Sequence, residues 1–147
     1  MLDLFCGLGN FSLPLARSGA HVVGVEGDAG LVARAKANAA LNGIENVEFV
    51  SCDLAQPSAV DAAWARRAYD KVLLDPPRAG AQEVLPIVAR SGAKVVLYIS
   101  CHPGSLARDA GILVHEHGFT LCAAGVMDMF PHTAHVESAA LFTRGAP

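Results

Sequence analysis

Short apolar runs at residues 2–5, 21–25, 47–50, 71–74 and 94–99 recur along the chain, and a stretch of helical character separates each from the next. The helical stretches are 11–17, 29–41, 58–67, 82–90 and 106–117. Strands that are apolar without alternation need cover on both faces, and helices between parallel strands supply it. The pattern therefore predicts an α/β fold with a mostly parallel sheet. Residues 120–128 and 136–143 read as two further strands with no helix between them, which predicts an antiparallel hairpin at one sheet edge. Within the helices, Asn10 is expected as an N-cap and Pro14 falls close enough to a first turn to be tolerated. Leu31, Ala35 and Leu41 are expected to face inward, with Asn42-Gly43 as a stop signal.

A length of 147 residues fits one domain, and 52% hydrophobic against 17% charged residues excludes a disordered chain. No apolar run reaches the roughly 18 residues of a membrane span, and no signal segment opens the chain, so it reads as cytoplasmic with no membrane partner. Cys6, Cys52, Cys101 and Cys122 form no metal-binding pair and are expected as free thiols. The chain opens directly on a strand, which is expected to mean that a segment normally precedes Met1. Net charge is −3, so a nucleic-acid partner would have to be gripped by a local patch or by parts outside this chain.

The sharpest motif is Cys6-Gly7-Leu8-Gly9-Asn10, which follows the first strand and opens a helix. Glycines there let the backbone bend and approach a ligand. Glu26 ends the second strand nineteen residues after Gly7, where a carboxylate can accept from both hydroxyls of a ribose. A dinucleotide site would use the same acid. Its third glycine, however, is replaced by Ser12, and Asp3 would repel a diphosphate while suiting the ammonium of a methionine moiety. These features favour S-adenosyl-L-methionine. Asp53, just past the third strand, stands where an adenine amino group would arrive, although such a residue also commonly caps a turn.

A second cluster lies further on. Asp75-Pro76-Pro77-Arg78 follows the fourth strand as a stiff loop able to hold a flat base. Ser100-Cys101-His102-Pro103 follows the fifth, with Pro103 suited to the first position of a helix. Cys101 then stands at the positive end of a helix dipole, a setting that favours a nucleophilic thiolate, whereas Cys6, Cys52 and Cys122 read as small buried apolar residues. His102 reads as flanking this loop. Glu137, at a strand start, is a candidate general base. His132, His135 and Glu137 have a metal-like spacing, but no further ligands accompany them and no metal is expected.

Four stretches, 3–12, 75–81, 100–109 and 128–138, resemble the RNA uracil-5-methyltransferases, and among them the 23S ribosomal RNA branch. The resemblance runs nearly end to end. It implies a Rossmann-like class I S-adenosylmethionine-dependent methyltransferase fold and an RNA substrate, 23S rRNA first, with tRNA as the alternative. It further implies that Cys101 attacks C6 of uracil, that C5 takes the methyl group, and that Glu137 then removes the C5 proton. By the same resemblance Phe5, Asn10, Glu26, Asp53 and Asp75 line the cofactor side, together with Asp3, Gly7 and Gly9 of the turn, and Asp75 also approaches the base. His102 stands where the family has Asn. The family's N-terminal RNA-binding barrel, its frequent iron–sulfur cluster, its central domain and a glutamine-bearing cofactor segment have no counterpart here. Residues 1–147 are therefore expected to be the C-terminal catalytic domain, with most of the RNA grip supplied elsewhere.

Three other readings compete. An RNA cytosine C5-methyltransferase would want a Pro-Cys pair after the fourth strand, where this chain has Asp75-Pro76-Pro77. A nicotinamide-binding domain is opposed by Ser12 and the Cys101 loop. An inert cofactor-binding fragment is opposed by the presence of both Cys101 and Glu137.

Overall fold

The computed structural model describes residues 1–129, 132–133 and 136–145. Seven strands form one sheet: β1 (Leu2–Leu4), β2 (Val22–Glu26), β3 (Val47–Ser51), β4 (Lys71–Leu74), β5 (Val95–Ser100), β6 (Thr120–Met127) and β7 (Glu137–Thr143). Their order is β3-β2-β1-β4-β5-β7-β6. Neighbours from β3 through β5 pair in parallel, and β7 runs antiparallel to both β5 and β6. The expected hairpin is present, with the refinement that β7 inserts beside β5 and leaves β6 at the edge.

The chain builds outward from β1 to β2 and β3, then crosses back to lay β4 on the other side of β1. This reversal opens a crevice above the carboxyl ends of β1 and β4, where ligands of open α/β sheets bind. The glycine turn and the Pro-Pro loop both leave from those two strand ends.

Four α-helices cover the sheet: α1 (Ser12–Arg17), α2 (Ala29–Leu41), α3 (Leu85–Arg90) and α4 (Pro103–His115). In α2 the inward residues are Val32, Ala35 and Ala39, spaced three and four apart. Leu41 does not belong to that stripe: six residues beyond Ala35 carries it round the helix, and it is 85% exposed. Asp28 caps α2 by accepting from the amides of Gly30 and Leu31. Asn10 caps nothing; Phe11 holds the N-cap position of α1 without a side-chain bond. Pro14 sits in the first turn, where a missing N–H costs no helical bond.

Two expected helices differ. Residues 58–67 form two short 3₁₀ segments, Pro57–Asp61 and Trp64–Arg66, separated by an extended Ala62. Burial of Ala59, Trp64 and Ala65 in the main core outweighs local helical preference there. Residues 82–84 are 3₁₀, and α3 begins only around Pro86, which has no amide to continue the earlier turn.

The main core runs from Leu2, Leu4 and Val25 through Leu74, Ile87 and Tyr98 to Phe142. All four cysteines are free. Cys6 is buried and Cys52 half-buried, but Cys122 is exposed on the edge strand. Among the described residues no helix is long and apolar enough to cross a membrane.

Candidate active site

The turn after β1 begins with a strained residue. Phe5 has φ +65°, a left-handed conformation that non-glycine residues rarely adopt, and both its amide and that of Cys6 donate to Val25 O, at 2.9 and 3.1 Å. The chain thus folds sharply over the end of β2. Gly9 is required for two reasons: its φ is +85°, and a Cβ there would come within 2.9 Å of the Phe49 ring. Asn38 Nδ2 of α2 donates to Leu8 O at 3.2 Å and holds the turn from the side.

Glu26 is tied to this turn. Its Oε2 accepts from the Gly7 amide and its Oε1 from the Asp28 amide, each at 3.0 Å. Each carboxylate oxygen keeps a further acceptor site, so the oriented group can still receive two ribose hydroxyls. Asn10 is exposed at the rim of the turn. Asp53 sits past β3 with Oδ1 accepting from the Ala55 amide at 3.0 Å, which makes it a turn residue by its present contacts, exposed toward the same edge.

Asp3 lies beneath the turn and is only 1% exposed. Ser12 Oγ donates to its Oδ2 at 2.5 Å, while Oδ1 is buried without a hydrogen-bond partner. Burial, and secondarily the charge of Asp75, pushes the Asp3 carboxyl up to about 7 despite the Ser12 bond. A buried acceptor short of a partner under a turn is complementary to an ammonium arriving above it, so these residues fit the amino-acid end of S-adenosylmethionine. In sequence Ser12 reads only as a missing glycine. Its role is to satisfy Asp3, and the nine-residue separation across a strand–turn–helix was the available signal. Cys6 is no nucleophile: burial, then the charges of Asp3 and Glu26, push its thiol up to about 12.

Across the crevice, the Asp75 amide donates to Leu4 O at 3.3 Å, which fastens the Pro-Pro loop to the end of β1. Burial and the nearby Glu137 charge both raise the Asp75 carboxyl above its ordinary range. Asp3, Asp75 and Glu137 therefore form a run of mutually sensed carboxyl groups through the crevice.

Cys101 is half-buried between β5 and α4. Its loop is stapled on both sides. Ser100 Oγ donates to His102 O and accepts from the His102 amide, both at 3.0 Å, and Ser105 Oγ donates to His102 O at 2.9 Å. His102 is the N-cap of α4, with Nδ1 accepting from the Ser105 amide at 3.1 Å. That is the contact an Asn side chain makes at a cap, so the exchange of Asn for His preserves it.

Glu137 opens β7 and is half-buried. Ser100 pairs with Ser138, and Ser138 Oγ donates to Ser100 O at 3.1 Å. The antiparallel register carried one residue further sets Cys101 beside Glu137. The structure thus brings together Cys101, Glu137 and Asp75 on one side of the crevice and Asp3, Phe5, Gly7, Gly9, Asn10 and Glu26 on the other, with Asp53 at the rim. His135, with Phe130, Pro131 and Ala134, lies outside the described residues. Among the described residues no three His, Cys, Asp or Glu side chains are placed to hold a metal.

Residues 1–145 match the family model for tRNA (uracil-5-)-methyltransferase. A 23S rRNA (uracil(1939)-C(5))-methyltransferase, RlmD, of Xanthomonas oryzae is 65% identical over 98% of this chain, and its counterpart in Stenotrophomonas maltophilia is 64% identical. The chain spans 32% of the length of each. Among solved structures, the Pyrococcus abyssi tRNA (uracil-54, C5)-methyltransferase in complex with S-adenosyl-L-homocysteine superposes with a TM-score of 0.81 at 30% identity, covering 97% of this chain and 33% of that one. A magnesium protoporphyrin IX methyltransferase from Synechocystis, with bound SAM, shares the fold at a TM-score of 0.72 and 20% identity. On the match across residues 1–145, the chain belongs to the tRNA (uracil-5-)-methyltransferase family.

Proposed function

We propose that this chain is the catalytic domain of an enzyme that methylates C5 of a uridine in RNA, with 23S rRNA as substrate and S-adenosyl-L-methionine as methyl donor. The observation that supports the reading is the β5–β7 register, whose pair Ser100–Ser138 lies next to Cys101 and Glu137, with the Glu137 charge acting on Asp75. A nucleophile alone, or a base alone, would not define this chemistry; the pair at one end of a ligand crevice does.

C5 of uracil is a weak nucleophile. Attack of the Cys101 thiolate on C6 forms a carbon–sulfur bond and moves the ring electrons toward C5 and O4. S-adenosylmethionine would supply the electrophilic methyl group that C5 takes, its sulfonium–methyl bond breaking to leave S-adenosylhomocysteine. Glu137 then accepts the C5 proton, and the electron pair left behind expels Cys101 from C6 and restores the ring double bond. Asp75, whose carboxyl burial and then the Glu137 charge raise above its ordinary range, is suited to hydrogen-bond the edge of the base. Glu26 holds the ribose of the cofactor and the Gly7–Gly9 turn admits its methionine end over Asp3.

The relatives at about two-thirds identity act, by their names, on 23S rRNA, which supports that substrate. A tRNA uridine is the second reading, favoured by the fold match to the tRNA enzyme of Pyrococcus abyssi. Either substrate sets the enzyme in the cytoplasm. With a net charge of −3 on this chain, most of the RNA grip comes from the remaining length that the relatives carry. The test is transfer of labelled methyl from S-adenosylmethionine to matched 23S rRNA and tRNA fragments. Labelling of the rRNA fragment, lost in Cys101→Ala, is the expected result; labelling of tRNA alone would replace the first substrate with the second.

A further inference from the structure

The α4 helix carries, six residues past its start at Pro103, a buried charge that the mechanism above does not use. Asp109 is fully buried, accepts three hydrogen bonds and is ion-paired with Arg108. Oδ2 accepts from the Tyr98 hydroxyl at 2.6 Å and from the Ala81 amide at 2.7 Å. Oδ1 accepts from Arg108 Nε at 2.8 Å, and Nη2 of the same guanidinium lies 2.7 Å from it in an ion pair. Arg108 Nη2 also donates to Ala79 O at 2.8 Å. Burial, and then the Asp109 carboxylate, push the Tyr98 hydroxyl well above its ordinary range, so it remains a donor.

These contacts have one target. Ala79 O and Ala81 N flank Gly80, and the Arg108–Asp109 pair grips the turn from both sides. Gly80 has φ +92°, and a Cβ there would fall 2.5 Å from Arg108 Nη2 and 2.6 Å from Asp109 Oδ2, so the backbone lies directly against the pair. Gly80 N also donates to Pro77 O at 2.9 Å, which closes the loop that begins at Asp75. The far end of the Asp75 loop is thereby fastened to the helix that begins two residues after Cys101. A buried, paired carboxylate is costly to retain for stability alone.

We propose that Asp109 is a positioning residue for the methyl transfer. With Arg108 and Tyr98, it fixes the Asp75 loop at a set distance from Cys101, so that one uracil ring meets both the thiol and the carboxyl. This rests on the uridine C5 reading. Asp109 touches neither base nor cofactor; its effect passes through Ala79–Ala81 to Asp75. Glu26 and Asp3, fixed by their own bonds to Gly7 and Ser12, make no contact with Asp109, so cofactor affinity serves as the control.

The experiment compares this chain with Asp109→Asn and with the milder Arg108→Lys, which keeps the charge but loses the fork geometry. Three quantities are read: S-adenosylhomocysteine affinity, amide exchange at residues 79–81, and the rate of covalent adduct formation on saturating 5-fluorouridine RNA. Expected are cofactor affinity within about twofold of the parent, faster exchange at 79–81, and adduct formation slowed roughly 10–100-fold in Asp109→Asn and less in Arg108→Lys. Should Asp109→Asn fail to fold, Arg108→Lys carries the comparison. Unchanged adduct rates with faster loop exchange would overturn the proposal, as would a slowing matched by equal loss of cofactor affinity, the mark of a general structural role. No adduct in the unsubstituted chain under conditions where RNA and S-adenosylhomocysteine are both shown to bind would overturn the uridine reading itself, a result distinct from a parent that reacts and variants that react equally well.

Discussion

Ser138 Oγ on β7 donates to the backbone carbonyl of Ser100 on β5, at 3.1 Å, and this bond locks the ladder one residue short of the candidate nucleophile and base. Both serines are buried, and Ser100 also binds both backbone groups of His102. The spacing of Cys101 and Glu137 thus starts from a locked sheet register and is completed by the short stapled loop that carries Cys101.

Replacing Ser138 with Ala should therefore act on chemistry more than on stability. Loss of one buried hydrogen bond costs about 1 kcal/mol, or roughly 2–4 °C in melting temperature at this size. The methyl-transfer rate should fall by more than that loss alone would give, while S-adenosylhomocysteine affinity stays constant. Calorimetry beside a single-turnover assay checks it.

Asp3 predicts a pH dependence with a definite sign. Its carboxyl lies at about 7 in the folded chain against 3.8 as a free group. Between those values the folded chain holds a proton that the unfolded chain has released, so stability falls as pH rises through the window and levels off above about 7. The total is on the order of 4 kcal/mol between about pH 4 and pH 8. Asp3→Asn should flatten this slope in urea unfolding measured across that range. An unaltered slope would show that Asp3 is not the group responsible.

The same group should couple to the cofactor. An ammonium over the turn favours ionised Asp3, so S-adenosylhomocysteine should bind more tightly as pH rises through about 7, with proton release. Titration calorimetry in buffers of different ionisation enthalpy reads both, and Asp3→Asn should abolish the release.

His102 caps α4 through Nδ1 to the Ser105 amide. His102→Asn should retain stability to within a few tenths of a kcal/mol, whereas His102→Ala should lose about 1 kcal/mol. Equal losses in both variants would mean that the imidazole contributes by packing.

Arg78 follows the Pro-Pro loop, is exposed, and makes no ion pair among the described residues. If it meets one RNA phosphate, Arg78→Ala should lower the slope of log affinity against log salt by about 0.7–0.9 and weaken all RNA sequences alike.

Much of this arrangement was legible before the structure. Strand and helix alternation specified the parallel sheet because apolar runs covered on both faces admit few alternatives. The glycine turn, Glu26 and the Cys101 loop were legible because each depends on chemistry local to a strand end. What escaped was set at long range. Asp109 meets Ala81 across 28 residues, and only the packing of α4 on the sheet brings them together. Ser12 looked like a lost glycine because its partner, Asp3, is hidden under the turn. Leu41 was assigned inward on hydrophobicity, though its angular position on α2 points it to solvent. The Trp64 segment gave up its helix because burying the indole in the core decided its backbone.

The most direct test of the central claim is covalent trapping. The chain is mixed with S-adenosylmethionine and RNA in which uridine is replaced by 5-fluorouridine, whose C5 fluorine Glu137 cannot remove as a proton. The account predicts a denaturation-resistant adduct between protein and RNA, mapped to Cys101 and absent in Cys101→Ala. An adduct that persists in Cys101→Ala would contradict it.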